Sequence, residues 1–262
     1  MNTSSASEPV QRMKELYARS TKHSHYQIMP AFLQGILDPE ELNKKFNRYE
    51  RERMAFFQEH VDFKDRRVLD IGANTGYFTF ESSDAGASEV VAVEGNPEHA
   101  EFLRAAAVIH GKDVRVMEGY IDFNGPLPGA PYGIVLLLNV LHHVGDDFGD
   151  KTIGIDRAKE LIIKNLNFFA DKAAYVIFQM GFSWMTDYSK PLFPNGTKAE
   201  MIEMVSKGIE GVWDVVAIGI AEVDAEGHTA YAPPTIENLP RNNAIGEFRN
   251  RPIFILRSKR LG

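Results

Sequence analysis

The chain predicts an α/β fold: a doubly wound, mostly parallel seven-stranded sheet with one antiparallel edge strand, preceded by an N-terminal helical extension. Three observations carry that expectation. From Arg66 onward, short apolar runs alternate with amphipathic stretches long enough to cross back over a sheet. A glycine turn follows the first of those runs directly, and the residues before about 62 hold no strand signal.

Taken in order, residues 1–8 lack periodicity, and Gln11–Arg19 and Pro39–His60 have helical spacing, the latter with Asp38 as its cap and a dense Glu/Arg/Lys pattern. Val68–Ile71, Val90–Val93, Val114–Met117, Ile134–Leu138 and Tyr175–Phe178 are the apolar runs, read as parallel strands. Helices are expected between them near 76–86, 97–110 and 152–169. Then come a loop-rich stretch from Gly181 to Gly196, a helix near Lys198–Lys207, and two late strands, Val212–Ile220 and Pro252–Arg257. With no clear helix between them, those two strands read as an antiparallel pair at the sheet edge. The expected division is a helical extension over 1–61 and a core over 62–262, with insertions at about 181–197 and 222–250.

Composition narrows the chemistry. Among 262 residues, 36 acidic against 29 basic side chains leave a net charge of −7, which disfavours broad contact with a phosphate backbone. No cysteine is present, so disulfides, thiolate metal sites and cysteine nucleophiles are excluded. The N-terminus lacks the layout of a secretory signal, and no apolar run reaches the roughly 18 residues of a membrane span, so a cytoplasmic protein without membrane contact is expected.

The most informative segment is Val68-Leu69-Asp70-Ile71-Gly72-Ala73-Asn74-Thr75-Gly76-Tyr77-Phe78. A strand runs into a tight turn whose glycines let the backbone approach a ligand, and the helix that starts there presents free amides. Asp70 closes the strand with a carboxylate able to accept from the amino group of a zwitterionic ligand. Glu94 closes the next strand, about 20 residues beyond the glycines, where α/β sites use an acid to hold ribose hydroxyls. The spacing Gly72-Ala-Asn-Thr-Gly76 does not fit the Gly-x-Gly-x-x-Gly turn of nicotinamide dinucleotide enzymes.

At these residues the chain resembles the class I S-adenosylmethionine-dependent methyltransferases, whose signature Asp-x-Gly-x-Gly-x-Gly is matched by Asp70, Gly72, Asn74 and Gly76, with Asn74 in place of the middle glycine. Asparagine tolerates left-handed backbone geometry, which makes the replacement acceptable. The resemblance covers roughly residues 64–180 and implies S-adenosyl-L-methionine as cofactor and S-adenosylhomocysteine as product. It implies a binding set of Asp70, Gly72, Ala73, Asn74, Gly76, Phe78, Glu94, Gly95, Asn96, Gly119, Tyr120 and Asn139. Asp70 and Gly72 would lie at the methionine end, Glu94 at the ribose, and residues after the third strand at the adenine. Asn139-Val140-Leu141-His142-His143-Val144, after the fourth strand, is similar to the motif many members carry where cofactor and acceptor meet.

His142 and His143 are the candidate catalytic bases, because imidazole titrates near neutrality and can take a proton from a hydroxyl. Asp146, Asp147 and Asp150 read as a solvated loop capping a helix that begins near Thr152, and no metal is expected. Acceptor selection is expected from Tyr26, Gln27, Trp184, Tyr188, Phe193, Tyr231, Arg241 and Arg249, which mix aromatic faces with polar heads. Arg48, Arg51 and Arg53 suit either a phosphate or carboxylate grip or a salt-bridged solvent face.

The first reading of function is O-methylation of a small-molecule or saccharide hydroxyl. The second is modification of tRNA at a wobble uridine, using Lys44, Lys45, Arg48, Arg51, Arg66 and Arg67 as its basic surface. A third is a non-catalytic, cofactor-binding partner subunit.

Overall fold

Each apolar run read from the sequence forms a strand, and the stretches between them form helices at the expected places. The computed structural model describes residues 8–19, 26–37 and 48–261. The chain divides into two units, residues 1–50 with 63–121 and residues 51–62 with 122–262.

The helices and strands up to residue 121 are α1 (Glu8–Ala18), α2 (Glu50–His60), β1 (Arg67–Ile71), α3 (Tyr77–Asp84), β2 (Glu89–Glu94), α4 (Pro97–His110) and β3 (Val114–Glu118). In the first unit the strands lie in the order β3-β2-β1, all parallel. β2 is buried along its whole length while β3 is largely exposed, as an inner and an outer strand should be. The register pairs Asp70 with Ala92 and Glu94 with Glu118, so carboxylates stand at the C-terminal ends of all three strands. α4 is sharply bounded: the Asn96 side chain accepts from the amides of Glu98 and His99, Pro97 opens the helix, and Gly111 ends it with a φ of 74°. α1 buries Met13, Leu16 and Tyr17 in one cluster with Phe102, Leu103 and Ala106 of α4, and Arg12 pairs with Glu101 on the rim.

One continuous helix over Pro39–His60 is not what forms. Asp38 and residues 39–47 lie outside the described residues, but Arg48 and Tyr49 are described and are not helical. Tyr49 has a φ of 60°, left-handed geometry that a helix cannot pass through, so α2 starts at Glu50.

The second unit contains the rest of α2 and β4 (Tyr132–Leu138), α5 (Ile155–Asn167), β5 (Ala173–Gln179), α6 (Lys198–Gly208), β6 (Trp213–Val223), β7 (Thr229–Ala232) and β8 (Ile253–Ser258). Their order is β4-β5-β8-β6-β7. β4 and β5 are parallel, whereas β8 runs antiparallel to both β5 and β6. The antiparallel pair expected from the late strands is therefore present, with two additions. β8 is inserted inside the sheet, where burial of five of its six residues holds it, and the short β7, antiparallel to β6, forms the edge. The pattern did not announce β7 because Thr-Ala-Tyr-Ala is four residues long and mixed in polarity. α6 starts at a capping box in which Thr197 and Glu200 satisfy each other's backbone amides. Phe56 of α2 packs on β6 at Gly219 and against Tyr231 of β7.

The turn after β1 depends on Gly76. Its φ is 89°, and a Cβ there would stand 2.8 Å from the Phe80 ring and closer still to Leu103. Gly76→Ala combines left-handed strain of about 1–2 kcal/mol with overpacking of similar size, so a loss of about 2–4 kcal/mol is expected. Urea unfolding checks it, and an unchanged midpoint would show that the turn does not need the glycine.

Candidate functional site

In the first unit the site is organised by one buried acid. Glu94 Oε2 accepts from the Asn74 amide at 2.7 Å and Oε1 accepts from the Asn96 amide at 2.8 Å. It thereby joins the turn after β1 to the turn after β2. Asn74 adopts a φ of 53°, the left-handed geometry for which asparagine substitutes for glycine, and its side chain meets the His99 ring at 3.4 Å. The Gly119 amide donates to the Glu94 carbonyl at 2.8 Å, which holds the turn after β3 beside the other two. The Tyr120 ring packs over Gly95 yet remains 60% exposed, a flat face available to a planar base.

Asp70 is buried, and its Oδ2 accepts from the Thr79 hydroxyl at 2.6 Å. Burial pushes its carboxyl up to about 7, the Thr79 hydrogen bond opposes that, and the charge of Glu94 adds to it. The remaining residues expected there divide by role. Gly72 shares the positive φ of the turn with Asn74 and Gly76, Asn96 is a helix cap, and Ala73 and Phe78 are buried in packing, Phe78 edge-on to Tyr77. Gln27 accepts from the Tyr77 amide at 3.0 Å, satisfying a free donor in the first turn of α3.

In the second unit, Asn139, His142 and His143 follow β4. Asn139 has a φ of 61° and enters a buried polar network. Its Nδ2 donates to Gln179 Oε1 at 3.2 Å, and its Oδ1 accepts from Arg251 Nη1 at 2.8 Å. Arg53 Nη1 donates to the same Gln179 oxygen at 3.1 Å, and Gln179 Nε2 donates to the Arg251 carbonyl at 3.1 Å. Arg53 is therefore not part of a solvent face, unlike the exposed Arg51. Arg48 donates to the Tyr26 carbonyl and lies over the Tyr26 ring.

The two histidines differ. His142 Nδ1 accepts from the Gly181 amide at 3.4 Å, and burial, reinforced by His143 and Arg251, holds its pKa well below the ordinary 6.5. His143 Nδ1 lies 3.3 Å from Asp147 Oδ2. His143, Asp146 and Asp147 each bring one ligand-type atom within 4.8 Å of the others, which could hold a metal ion. Asp150 does not cap α5. It binds the amide and hydroxyl of Thr152, while the helix starts at Ile155 after Gly154, because the chain makes one further turn first.

The expected acceptor residues are spread among distinct contacts. Trp184 Nε1 donates to the Val144 carbonyl at 2.6 Å, Phe193 packs on Phe182, and Arg241 lies over Phe182 and pairs with Glu247. Arg249 Nε donates to the Ile245 carbonyl, and Tyr188 is exposed. Gln179, Arg251, Glu247 and Phe248 were not legible as site residues. The one local signal was Gln179, a polar residue closing an otherwise apolar strand. Lys44 and Lys45 of the basic surface lie outside the described residues.

Comparison with known proteins agrees with this geometry. Residues 68–154 match the methyltransferase domain family. A crystal structure of WbdD superposes with a TM-score of 0.56 at 16% identity, over 94% of this chain and 47% of that one. Monomeric WbdD gives 0.53 at 17% identity, over 88% of this chain and 45% of that one. This chain thus spans about half the length of those proteins. A putative S-adenosylmethionine-dependent methyltransferase from Listeria monocytogenes superposes at 0.47 with 13% identity, over 80% of this chain and 98% of that one. Residues 68–154 thus carry a methyltransferase domain, a class of domain that uses S-adenosylmethionine as methyl donor. Among the described residues, no helix is long and apolar enough to cross a membrane.

Asp70 is expected to make the stability of the fold depend on pH. With its folded pKa raised from 3.8 to about 7, the folded state holds an extra proton between those values. Stability from this group is fully present below about pH 4 and is lost as pH rises through 7, about 4 kcal/mol in all. Asp70→Asn keeps an acceptor for Thr79 and removes the charge. The variant is expected to gain stability relative to the wild type between pH 5 and 8 in urea melts, and parallel profiles would refute a buried, titrating Asp70.

Proposed function

We propose that this methyltransferase O-methylates a hydroxyl of a small-molecule or saccharide acceptor, with His143 as the base. The observation that carries this reading is the Asp147 carboxylate 3.3 Å from His143 Nδ1. The contact follows from a tight turn in which the amides of Asp146 and Asp147 both donate to the His143 carbonyl. A carboxylate at Nδ1 favours the proton there and leaves Nε2 to accept one from a hydroxyl. His142 is set up in the opposite sense. Its Nδ1 accepts from the Gly181 amide, so in the neutral ring Nε2 carries the proton and acts as a donor.

The cofactor supplies a methyl group on a positively charged sulfur. His143 takes the hydroxyl proton as the acceptor oxygen displaces that sulfur, and orientation of the acceptor supplies much of the rate. The binding set Asp70, Gly72, Ala73, Asn74, Gly76, Phe78, Glu94, Gly95, Asn96, Gly119, Tyr120 and Asn139 forms part of the proposal. Within it, Asp70 serves the amino group, Glu94 the ribose and Tyr120 the adenine face. Glu94 suits its role because the Asn74 and Asn96 amides fix the direction of its carboxylate at the C-terminal end of β2.

The helical extension over 1–61 and the insertions at about 181–197 and 222–250 are assigned to acceptor choice. Within the second unit the two insertions are tied together by Arg241, which donates to the Gly196 carbonyl and to Glu247. A cytoplasmic setting suits a chain without cysteine.

Calorimetric titration with S-adenosylhomocysteine tests the cofactor half. Glu94→Ala is expected to lose about 1.5–3 kcal/mol of binding, the worth of a hydrogen bond to a charged group, and equal affinity would sink the ribose assignment. For the acceptor half, His143→Gln is expected to lower kcat by about two orders of magnitude or more at little change in KM, on an acceptor found by screening hydroxylated small molecules and saccharides. Retention of kcat would remove His143 as the base.

A further inference from the structure

The polar network of the second unit is built around guanidinium groups that the hydroxyl-methylation reading leaves unused. Arg53 and Arg251 are 2% and 6% exposed. Burying a guanidinium is costly, and amide oxygens are among the partners that fix its direction, Gln179 Oε1 for Arg53 and Asn139 Oδ1 for Arg251. Both ends of the Gln179 carboxamide are engaged, its oxygen by Arg53 and Asn139 and its nitrogen by the Arg251 carbonyl. Asn139 Oδ1 accepts from Arg251, and the Phe248 ring lies 4.2 Å from the Arg251 guanidinium carbon and 5.9 Å from that of Arg53. Glu247 is shared between two arginines, at 2.6 Å from Arg241 and 3.5 Å from Arg251.

A second observation lies beside the first. His142 is 1% exposed, its Nδ1 is engaged by the Gly181 amide, and its Nε2 has no hydrogen-bond partner. A buried donor left in that state costs on the order of 1–3 kcal/mol, so its persistence calls for a ligand. Its direction is given by Gly181: a Cβ there would stand 3.0 Å from His142 Nε2 and 3.3 Å from the Arg251 guanidinium carbon. The unsatisfied imidazole nitrogen and the oriented guanidinium therefore crowd the same face of one residue that has no side chain.

Resting on the methyltransferase reading above, we infer that His142 Nε2, Arg251 and Arg53 form an anion subsite that holds an oxyanion of the methyl acceptor, a carboxylate or a phosphate. The acceptor is thus an acidic hydroxyl compound, such as a hydroxy acid, an acidic sugar or a sugar phosphate. His142 supplies a neutral donor, Arg251 the charge and planar fork, and Arg53 a second positive charge reached through the Gln179 amide. His142 is then a specificity determinant and its neighbour His143 the base, which gives adjacent, identical residues separate work. Gly181 is required because any side chain there would fill the approach between imidazole and guanidinium.

The test uses the full chain, with and without S-adenosylhomocysteine, and follows the His142 side-chain resonance by nuclear magnetic resonance during titration with inorganic phosphate and, separately, acetate. A saturable shift at roughly millimolar anion is expected. It should weaken at least about tenfold in Arg251→Gln, the factor carried by one charge-assisted hydrogen bond, and recover in Arg251→Lys. Preference for one probe distinguishes phosphate from carboxylate. Arg115→Gln, at an exposed position in the first unit, should leave the shift unchanged. If Arg251→Gln does not melt cooperatively, Arg53→Gln provides the second neutralisation, with the same weakening expected. No shift in a protein that binds S-adenosylhomocysteine overturns the subsite and leaves the methyltransferase reading standing, as does a shift indifferent to both arginine replacements. Failure to bind S-adenosylhomocysteine, with the anion shift intact, overturns the cofactor assignments and retains the subsite as an anion site.

Discussion

A carboxylate removed from water must be given hydrogen bonds, and at Glu94 the donors it receives are main-chain amides of two different turns. That requirement organises the first unit. The residue closes a strand buried along its whole length, so its side chain has little water to turn to. The Asn74 amide reaches it only because Asn74 adopts a left-handed conformation, and the Asn96 amide reaches it because Asn96 is held at the cap of α4. The glycine turn, the strand end and the helix start are thus one hydrogen-bonded assembly. Asp70, at the neighbouring strand end, has Thr79 as its donor, and burial, with the charge of Glu94 adding to it, pushes its carboxyl up to about 7.

The second unit solves a related problem with an amide in place of an acid. Gln179 is fully buried at the end of β5 and uses its oxygen and its nitrogen to align Asn139, Arg53 and Arg251. A neutral hub can set the direction of two guanidinium groups through hydrogen bonds without adding a charge of its own. The same principle divides the adjacent histidines. One ring is fixed by a backbone amide and kept neutral by burial, and the other faces a carboxylate brought back by a tight turn.

Much of this molecule was legible in the chain itself. Strand and helix periods, the glycine turn from Gly72 to Gly76 and the acids Asp70 and Glu94 are local features, set by the conformational needs of a few consecutive residues. The cap at Asn96-Pro97 and the late antiparallel strands follow from similar local chemistry. These signals survive without any knowledge of the partner segments.

What only the tertiary structure decided is the use of residues that become neighbours by burial. Arg251 and Asn139 are 112 positions apart, and Arg53 and Gln179 are 126 apart. No period or spacing relates them, and Arg53 in an Arg/Glu-rich helix carries the local signature of a solvent face. The placement of β8 inside the sheet, the break at Tyr49 and the opposite settings of His142 and His143 belong with them. A desolvated polar group must find its partner wherever the chain happens to pass, and that pairing is chosen by the packed fold rather than by sequence proximity.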